Sequence, residues 1–171
     1  NGFPSIDILQ PMYNIVKRQA EVEILPMSKT ENIGVISYSP LGGGLLTGKY
    51  SSVDSSNKNS LGRLHDNSKY KKRYGQNWMY DAANSLVNLA NDLDYDPIAL
   101  AVAWVSYNDA ITAPIISARN LKQLKPSLDS VEISLDQETY NFFTMFKTAQ
   151  EEVVRNHQCL FDHVNKKMEK L

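Results

Sequence analysis

Cysteine is almost absent. The 171 residues contain one, Cys159, which excludes an internal disulfide framework and fits a reducing compartment, so a cytoplasmic location is expected. Charge of one sign is also missing: 18 Lys+Arg stand against 19 Asp+Glu, a formal net charge of −1. That balance gives no global pull toward nucleic acid or an anionic membrane. No apolar run approaches the roughly 20 residues needed to span a bilayer. Asn1-Gly2-Phe3-Pro4 carries no initiator Met, charged leader or apolar signal core, and reads as the interior of something longer. Histidine is scarce too. His157, Cys159 and His163 stand close together, but their spacing fits no zinc motif and a fourth ligand is missing, so no metal site is expected.

What remains is an ordinary globular composition, 42% hydrophobic and 22% charged, sufficient for one domain with a sizeable core. Ile6-Asp7-Ile8-Leu9 reads as a strand after the breaker Pro4. Ala20, Ile24 and Met27 recur at helical spacing within Arg18–Lys29, and Ile33–Tyr38 is a second strand candidate. Strand, helix and strand follow one another over the length of a βαβ unit. Residues 42–76 look like a long irregular connection, the kind that usually carries function. Beyond it, Tyr80, Ala83, Leu86, Val87, Ala90 and Leu93 form a helical stripe. Asp96-Pro97 reads as an N-cap with Pro at the first helical position, opening a helix apolar on all sides. Ile111–Ile116 is the third strand candidate. Ser134-Leu135-Asp136-Gln137 has the form of a capping box for a helix through Phe146, and a helical tail is expected over 151–171. The alternation predicts an α/β fold with parallel strands, of which these residues supply only part.

The chemistry lies in Ser37-Tyr38-Ser39-Pro40-Leu41-Gly42-Gly43-Gly44-Leu45-Leu46-Thr47-Gly48-Lys49-Tyr50. Successive glycines let backbone N–H groups approach phosphate oxygens. Gly43 to Lys49 satisfies half of a nucleotide-triphosphate loop, but Tyr50 stands where Ser or Thr would hold Mg²⁺, which excludes that reading. The residues alone fit either a pyrophosphate cradle at a strand end or a flexible Gly-rich turn. Arg63, Lys69, Lys71, Lys72 and Arg73, with Tyr70 and Tyr74, form a basic aromatic stretch. It fits a solvated loop beside a phosphate better than a single-stranded nucleic-acid platform. His65 is too isolated to assign.

Gln10-Pro11-Met12-Tyr13-Asn14, Arg18 with Glu21, Glu23 and Leu25-Pro26, and then Tyr38-Ser39-Pro40-Leu41 to Gly48-Lys49-Tyr50, in this order and spacing, resemble the aldo-keto reductase family. Pro97 to Trp104 and Ser117-Ala118-Arg119 to Gln123-Leu124 extend the likeness to about residue 150. It covers only the second half of that family's (β/α)8 TIM barrel. Residues 1–150 would then be the C-terminal half-barrel, with Ile6–Gln10, Ile33–Tyr38 and Ile111–Ser117 as its last three strands.

The resemblance implies NADP as cofactor and a small-molecule carbonyl substrate, an aldehyde or a ketone. It implies that Gln10 holds the nicotinamide carboxamide, which an amide's donor and acceptor suit. Tyr38 would lie against the nicotinamide ring. Ser39, Pro40, Leu41, Gly42, Gly43 and Lys49 match the pyrophosphate loop, and Arg63 a basic clamp on the cofactor. Arg119 and Gln123 match the loop for the adenosine 2′-phosphate and the adenine, with Ser117 and Ser127 at neighbouring cofactor positions. Three positions depart from the family. Ser117 replaces Gly, and Pro126-Ser127 replace an acidic residue and Asn; Pro126 cannot stand in for a carboxylate. The family's catalytic Asp, Tyr, Lys and His lie in its first half and map onto no residue here. The missing half, or self-association, is therefore expected to complete the barrel. A non-catalytic cofactor sensor or interaction protein on the same scaffold is the alternative.

Overall fold

Three short runs form parallel strands: β1 (Ile8–Leu9), β2 (Gly34–Ser37) and β3 (Ala113–Pro114), in the order β1-β2-β3. The computed structural model describes residues 5–50, 64 and 67–144. Ile8 and Leu9 pair with Gly34 and Val35, and Ile36 and Ser37 with Ala113 and Pro114. The paired stretches are shorter than the sequence predicts. Among the described residues β1 and β3 each have one neighbour, and Pro114 has no N–H to offer a ladder. Single bonds extend the pairing: the Thr112 amide donates to the Val35 carbonyl at 2.8 Å and the Ile115 amide to the Ser37 carbonyl at 2.7 Å.

The predicted single helix over Arg18–Lys29 is two elements. A 3-10 turn at Gln19–Glu21 is followed by α1 (Ile24–Thr30), with Glu23 at a non-helical φ of −136° between them. The break shifts the phase of the buried face. Ala20, Leu25 and Ser28 are buried, whereas Ile24 and Met27, expected inside, are 39% and 44% exposed. Pro26 sits in the first turn of α1, where its missing N–H costs nothing.

The connection read as irregular over 42–76 contains order. Gly42–Thr47 is a 3-10 segment, and α2 (Ser68–Tyr74) starts at Asn67, whose side chain accepts from the Lys69 amide. Two longer helices match their patterns. α3 (Asn77–Asp92) buries Met79, Ala82, Ala83, Leu86 and Ala90. α4 (Pro97–Tyr107) is capped by Asp96, which accepts from the Ile98 amide at 2.7 Å, and it buries every residue from Ala99 to Val105. α5 (Leu121–Asp129) is capped by Asn120 and carries Pro126 in its interior.

The capping box expected at Ser134 is displaced. Asp136 is the N-cap of α6 (Gln137–Asn141), accepting from the Thr139 amide at 2.7 Å. This bond, first among the causes, holds the exposed Asp136 carboxyl below its usual range. The chain then leaves the α-helix for a 3-10 turn at Phe142–Thr144 instead of continuing through Phe146. Tertiary packing wins there: Phe143 is fully buried, and Arg18 Nη1 donates to its carbonyl at 3.2 Å. The tail over 151–171, Arg63, His65 and the His157–His163 group lie outside the described residues.

A buried polar cluster fixes this C-terminal segment to the turn after β1. Arg18 and Glu21 pair at 2.8 Å with side chains only 5% and 11% exposed. The Tyr13 hydroxyl donates to Glu21 at 2.7 Å, Asn108 Nδ2 reaches the hydroxyls of Tyr13 and Tyr140, and Trp104 Nε1 donates to the Tyr140 carbonyl. Burial, then the Glu21 charge, pushes the Tyr13 phenol far above its usual range.

Candidate functional site

The site is built at the C-terminal ends of β1 and β2. Past the paired residues the Tyr38 amide donates to the Pro11 carbonyl at 3.0 Å, and the Tyr13 amide to the Tyr38 carbonyl at 3.3 Å. Gln10 is thereby exposed at the end of β1, and Tyr38 lies half-buried at the end of β2, beside Met12. At Ser39 the backbone turns left-handed, φ +60°. Its carbonyl accepts from the Gly42 amide at 3.0 Å and from Asn14 Nδ2 at 2.8 Å.

Gly42, Gly43 and Gly44 all have positive φ, of 57°, 68° and 98°, a run that side-chain-bearing residues do not sustain. Gly42 and Gly44 spend their amides on the Ser39 and Leu41 carbonyls, and Leu46 also donates to Leu41. Among the described residues, the N–H groups of Leu41 and Gly43 have no hydrogen-bond partner. Lys49 Nζ comes within 3.4 Å of where a Cβ on Gly44 would stand, and sits 4.8 Å from the Tyr50 ring centroid. Two free backbone donors in a loop that also carries an ammonium group are donors that could hold an anion such as a pyrophosphate. Pro40 is buried behind them.

α2 closes the loop from one side, which the sequence did not reveal. The Tyr70 ring occupies the space a Cβ on Gly43 would need, and Tyr74 packs against Gly42. Tyr74 is fully buried, with its hydroxyl donating to Met12 Sδ at 3.2 Å, and burial raises its pKa. These rings are part of the packing and do not form a platform for bases, so the nucleic-acid reading of the stretch loses its aromatic component. Lys69, Lys71, Lys72 and Arg73 point to solvent, and Arg73 lies 5.8 Å from the Tyr70 ring centroid. Lys17 is held below its usual pKa by burial first and by Arg73 second. The i,i+4 spacing of Tyr70 and Tyr74 was the available signal for this helix face. Asn14, buried under Ser39, had none.

A second group lies beyond β3. Ser117, Arg119 and Gln123 are exposed; the Arg119 amide donates to Gln123 Oε1 at 3.2 Å, and the Gln123 amide to Asn120 Oδ1 at 3.0 Å. These bonds bring Arg119 and Gln123 together at the start of α5. Ser127 is not with them: it is buried one turn further on, with its carbonyl accepting from Ser130 Oγ. Among the described residues Arg119 has no ion pair. No group of three or more His, Cys, Asp or Glu among them is placed to hold a metal ion. No described helix is long and apolar enough to cross a membrane.

Parallel strands with a glycine-rich loop at their C-terminal ends define an α/β protein. Comparison with known proteins makes this specific. The chain belongs to the aldo/keto reductase family, whose model matches residues 1–146. It is 33% identical over 129 residues to an uncharacterized oxidoreductase, YrpG, of Bacillus subtilis (strain 168), covering 75% of this chain and 36% of that protein. It is 31% identical over 145 residues to aflatoxin B1 aldehyde reductase member 2 of Homo sapiens, covering 77% of this chain and 40% of that one. The glycerol dehydrogenase AKR11B4 from Gluconobacter oxydans superimposes with a TM-score of 0.64 at 27% identity, over 81% of this chain and 41% of that chain. The chain thus spans about two-fifths of the length of the relatives it matches.

Proposed function

We propose that this chain is the cofactor-binding, C-terminal half of a (β/α)8 barrel in a cytoplasmic, NADP-dependent aldo-keto reductase that reduces an aldehyde or ketone. The carrying observation is the pair of amides at Leu41 and Gly43 that have no partner among the described residues, in the same loop where Lys49 lies against Gly44, which suits a pyrophosphate. NADPH, when bound, supplies the hydride. Gln10 would hold the nicotinamide carboxamide, and Tyr38 would lie against the ring and select its face. Arg119 would take the adenosine 2′-phosphate, Gln123 the adenine and Arg63 a cofactor phosphate. Asn14 and α2 keep the loop in shape from beneath. None of these residues would be the acid that protonates the carbonyl oxygen. That group would come from the rest of the barrel.

Both edges of the sheet support a barrel that continues. Ile6 and Ile8 at β1 are 62% and 57% exposed, and Ile115 after β3 is 40% exposed. On α5, Leu121 and Leu128 are 82% and 52% exposed. Unpaired edges with apolar flanks are normally covered. Following NADPH absorbance with a simple aldehyde tests the reading. The complete barrel is expected to turn over, whereas the 171-residue chain alone is expected to bind NADPH and leave it unoxidised. Steady oxidation by the verified 171-residue chain would overturn the placing of the acid in the other half.

A further inference from the structure

We propose that Asn14 is a positioning residue that fixes the anion-facing shape of the Ser39–Gly44 loop by donating to the Ser39 carbonyl. The proposal rests on the cofactor reading above. Asn14 is fully buried, and its side-chain amide bonds two backbone groups besides lying at the Tyr74 hydroxyl. Oδ1 accepts from the Val16 amide at 3.1 Å and closes the turn after β1. Nδ2 donates at 2.8 Å to Ser39, which lies 25 residues away on the next strand's loop. The first bond is local, whereas the second joins two loops.

Ser39 needs that second bond. A non-glycine residue at φ +60° is strained, and it persists where its surroundings hold it. The same carbonyl takes the Gly42 amide, so two donors converge on one oxygen and set the direction of the peptides that follow. Those peptides include Leu41 and Gly43, whose N–H groups are the ones left for an anion. Tyr74, fully buried and at hydrogen-bond reach of Asn14 and Ser39, and buried Pro40 shield this bond from solvent. Only a side chain with an acceptor and a donor at this reach serves both partners, which is the inventory of Asn.

Asn14→Asp separates the two bonds, because it keeps an acceptor for Val16 and removes the donor to Ser39. In the complete barrel, amide hydrogen exchange reads Gly42 and Val16 individually, and NADPH titration reads the site. At about pH 8, Gly42 is expected to exchange about tenfold faster with Val16 still protected, and the NADPH Kd to rise about tenfold. Near pH 5 the buried carboxyl, its pKa raised by desolvation, regains a proton and a donor, and both effects should reverse. Asn14→Ser gives the same reading without a charge, since its hydroxyl can close the turn but is too short for Ser39. Unchanged Gly42 exchange, equal loss of protection at both amides, or unchanged NADPH affinity with Gly42 opened overturns the proposal. Wild-type protein that fails to bind NADPH contradicts the cofactor reading itself, and the Gly42 result then still decides whether Asn14 holds the loop.

Discussion

Tyr70 crowds position 43: its ring carbon Cδ1 lies 2.6 Å from where a Cβ on Gly43 would stand, so a side chain there requires the ring to shift. The left-handed backbone there, φ +68°, adds a second reason for glycine. The two contributions can be separated. Gly43→Ala should destabilise through both, with the backbone part about 1–2 kcal/mol. In a Tyr70→Ala background only the backbone part should remain. A double-mutant cycle by urea denaturation is expected to show a coupling of about 0.5–3 kcal/mol. Additive effects would mean that the ring moves aside freely.

The Arg18–Glu21 pair makes a different kind of contribution. Removing the carboxylate takes the charge partner from a buried guanidinium, at a cost of up to about 3–5 kcal/mol, lessened by the contacts Arg18 keeps. Glu21→Ala should therefore unfold at markedly lower urea. It should also loosen the Tyr140–Phe143 segment, because Arg18 holds the Phe143 carbonyl and stacks 5.0 Å from the Trp104 ring centroid. Hydrogen exchange at residues 137–143 checks this; a purely local loss at α1 would contradict it.

Alkaline pH should weaken the fold through Tyr13. Its folded-state pKa is raised above the ordinary 10.0, so its stabilisation is complete below that pH. As pH rises past it, the unfolded chain releases a proton that the folded chain keeps, and stability falls by up to about 1.4 kcal/mol per pH unit. Tyr74 acts in the same direction, and Lys17, whose folded pKa is lowered, in the opposite one. Comparison with Tyr13→Phe cancels both. The stability gap between wild type and mutant should narrow above about pH 10, as read from denaturant midpoints; a constant gap would exclude the Tyr13 linkage.

The exposed edges make a prediction about assembly. The 171-residue chain alone, with Ile6, Ile8, Leu121 and Leu128 uncovered, should associate with itself or with the remainder of the barrel. Sedimentation at micromolar concentration checks it. A monodisperse, cooperatively folding monomer would contradict the half-barrel account.

Long periodic patterns made α3 and α4 legible in the sequence: a stripe for one, an all-round apolar run behind Asp96-Pro97 for the other. The parallel direction of the strands was legible as well, because β1, α1 and β2 come in βαβ spacing. What misled were short elements, where tertiary contacts outweigh local preference. Ile24 and Met27 face outward because the chain breaks at Glu23, and the last helix stops at Asn141 because Phe143 is drawn into the core. At the site, glycines and Lys49 were readable from chemistry and spacing, whereas Asn14, Tyr70 and Tyr74 act through contacts across distant sequence. Ser127, a cofactor position by resemblance, is buried one turn along α5 from Gln123, which nothing in its local sequence signals.

Cofactor choice tests the account most directly, through Arg119, which is exposed at the start of α5 beside Gln123. A ribose 2′-phosphate carries about two negative charges and suits a planar guanidinium. NADH lacks that group. A charge-assisted bond contributes roughly 1.5–3 kcal/mol, so Arg119→Ala in the complete barrel should weaken NADPH by about one to two powers of ten. Titrating NADPH and NADH into wild type and mutant is the measurement. The expected result is a large loss for NADPH with NADH nearly unchanged; equal losses for both, or no loss for either, would contradict the assignment of NADP to this chain.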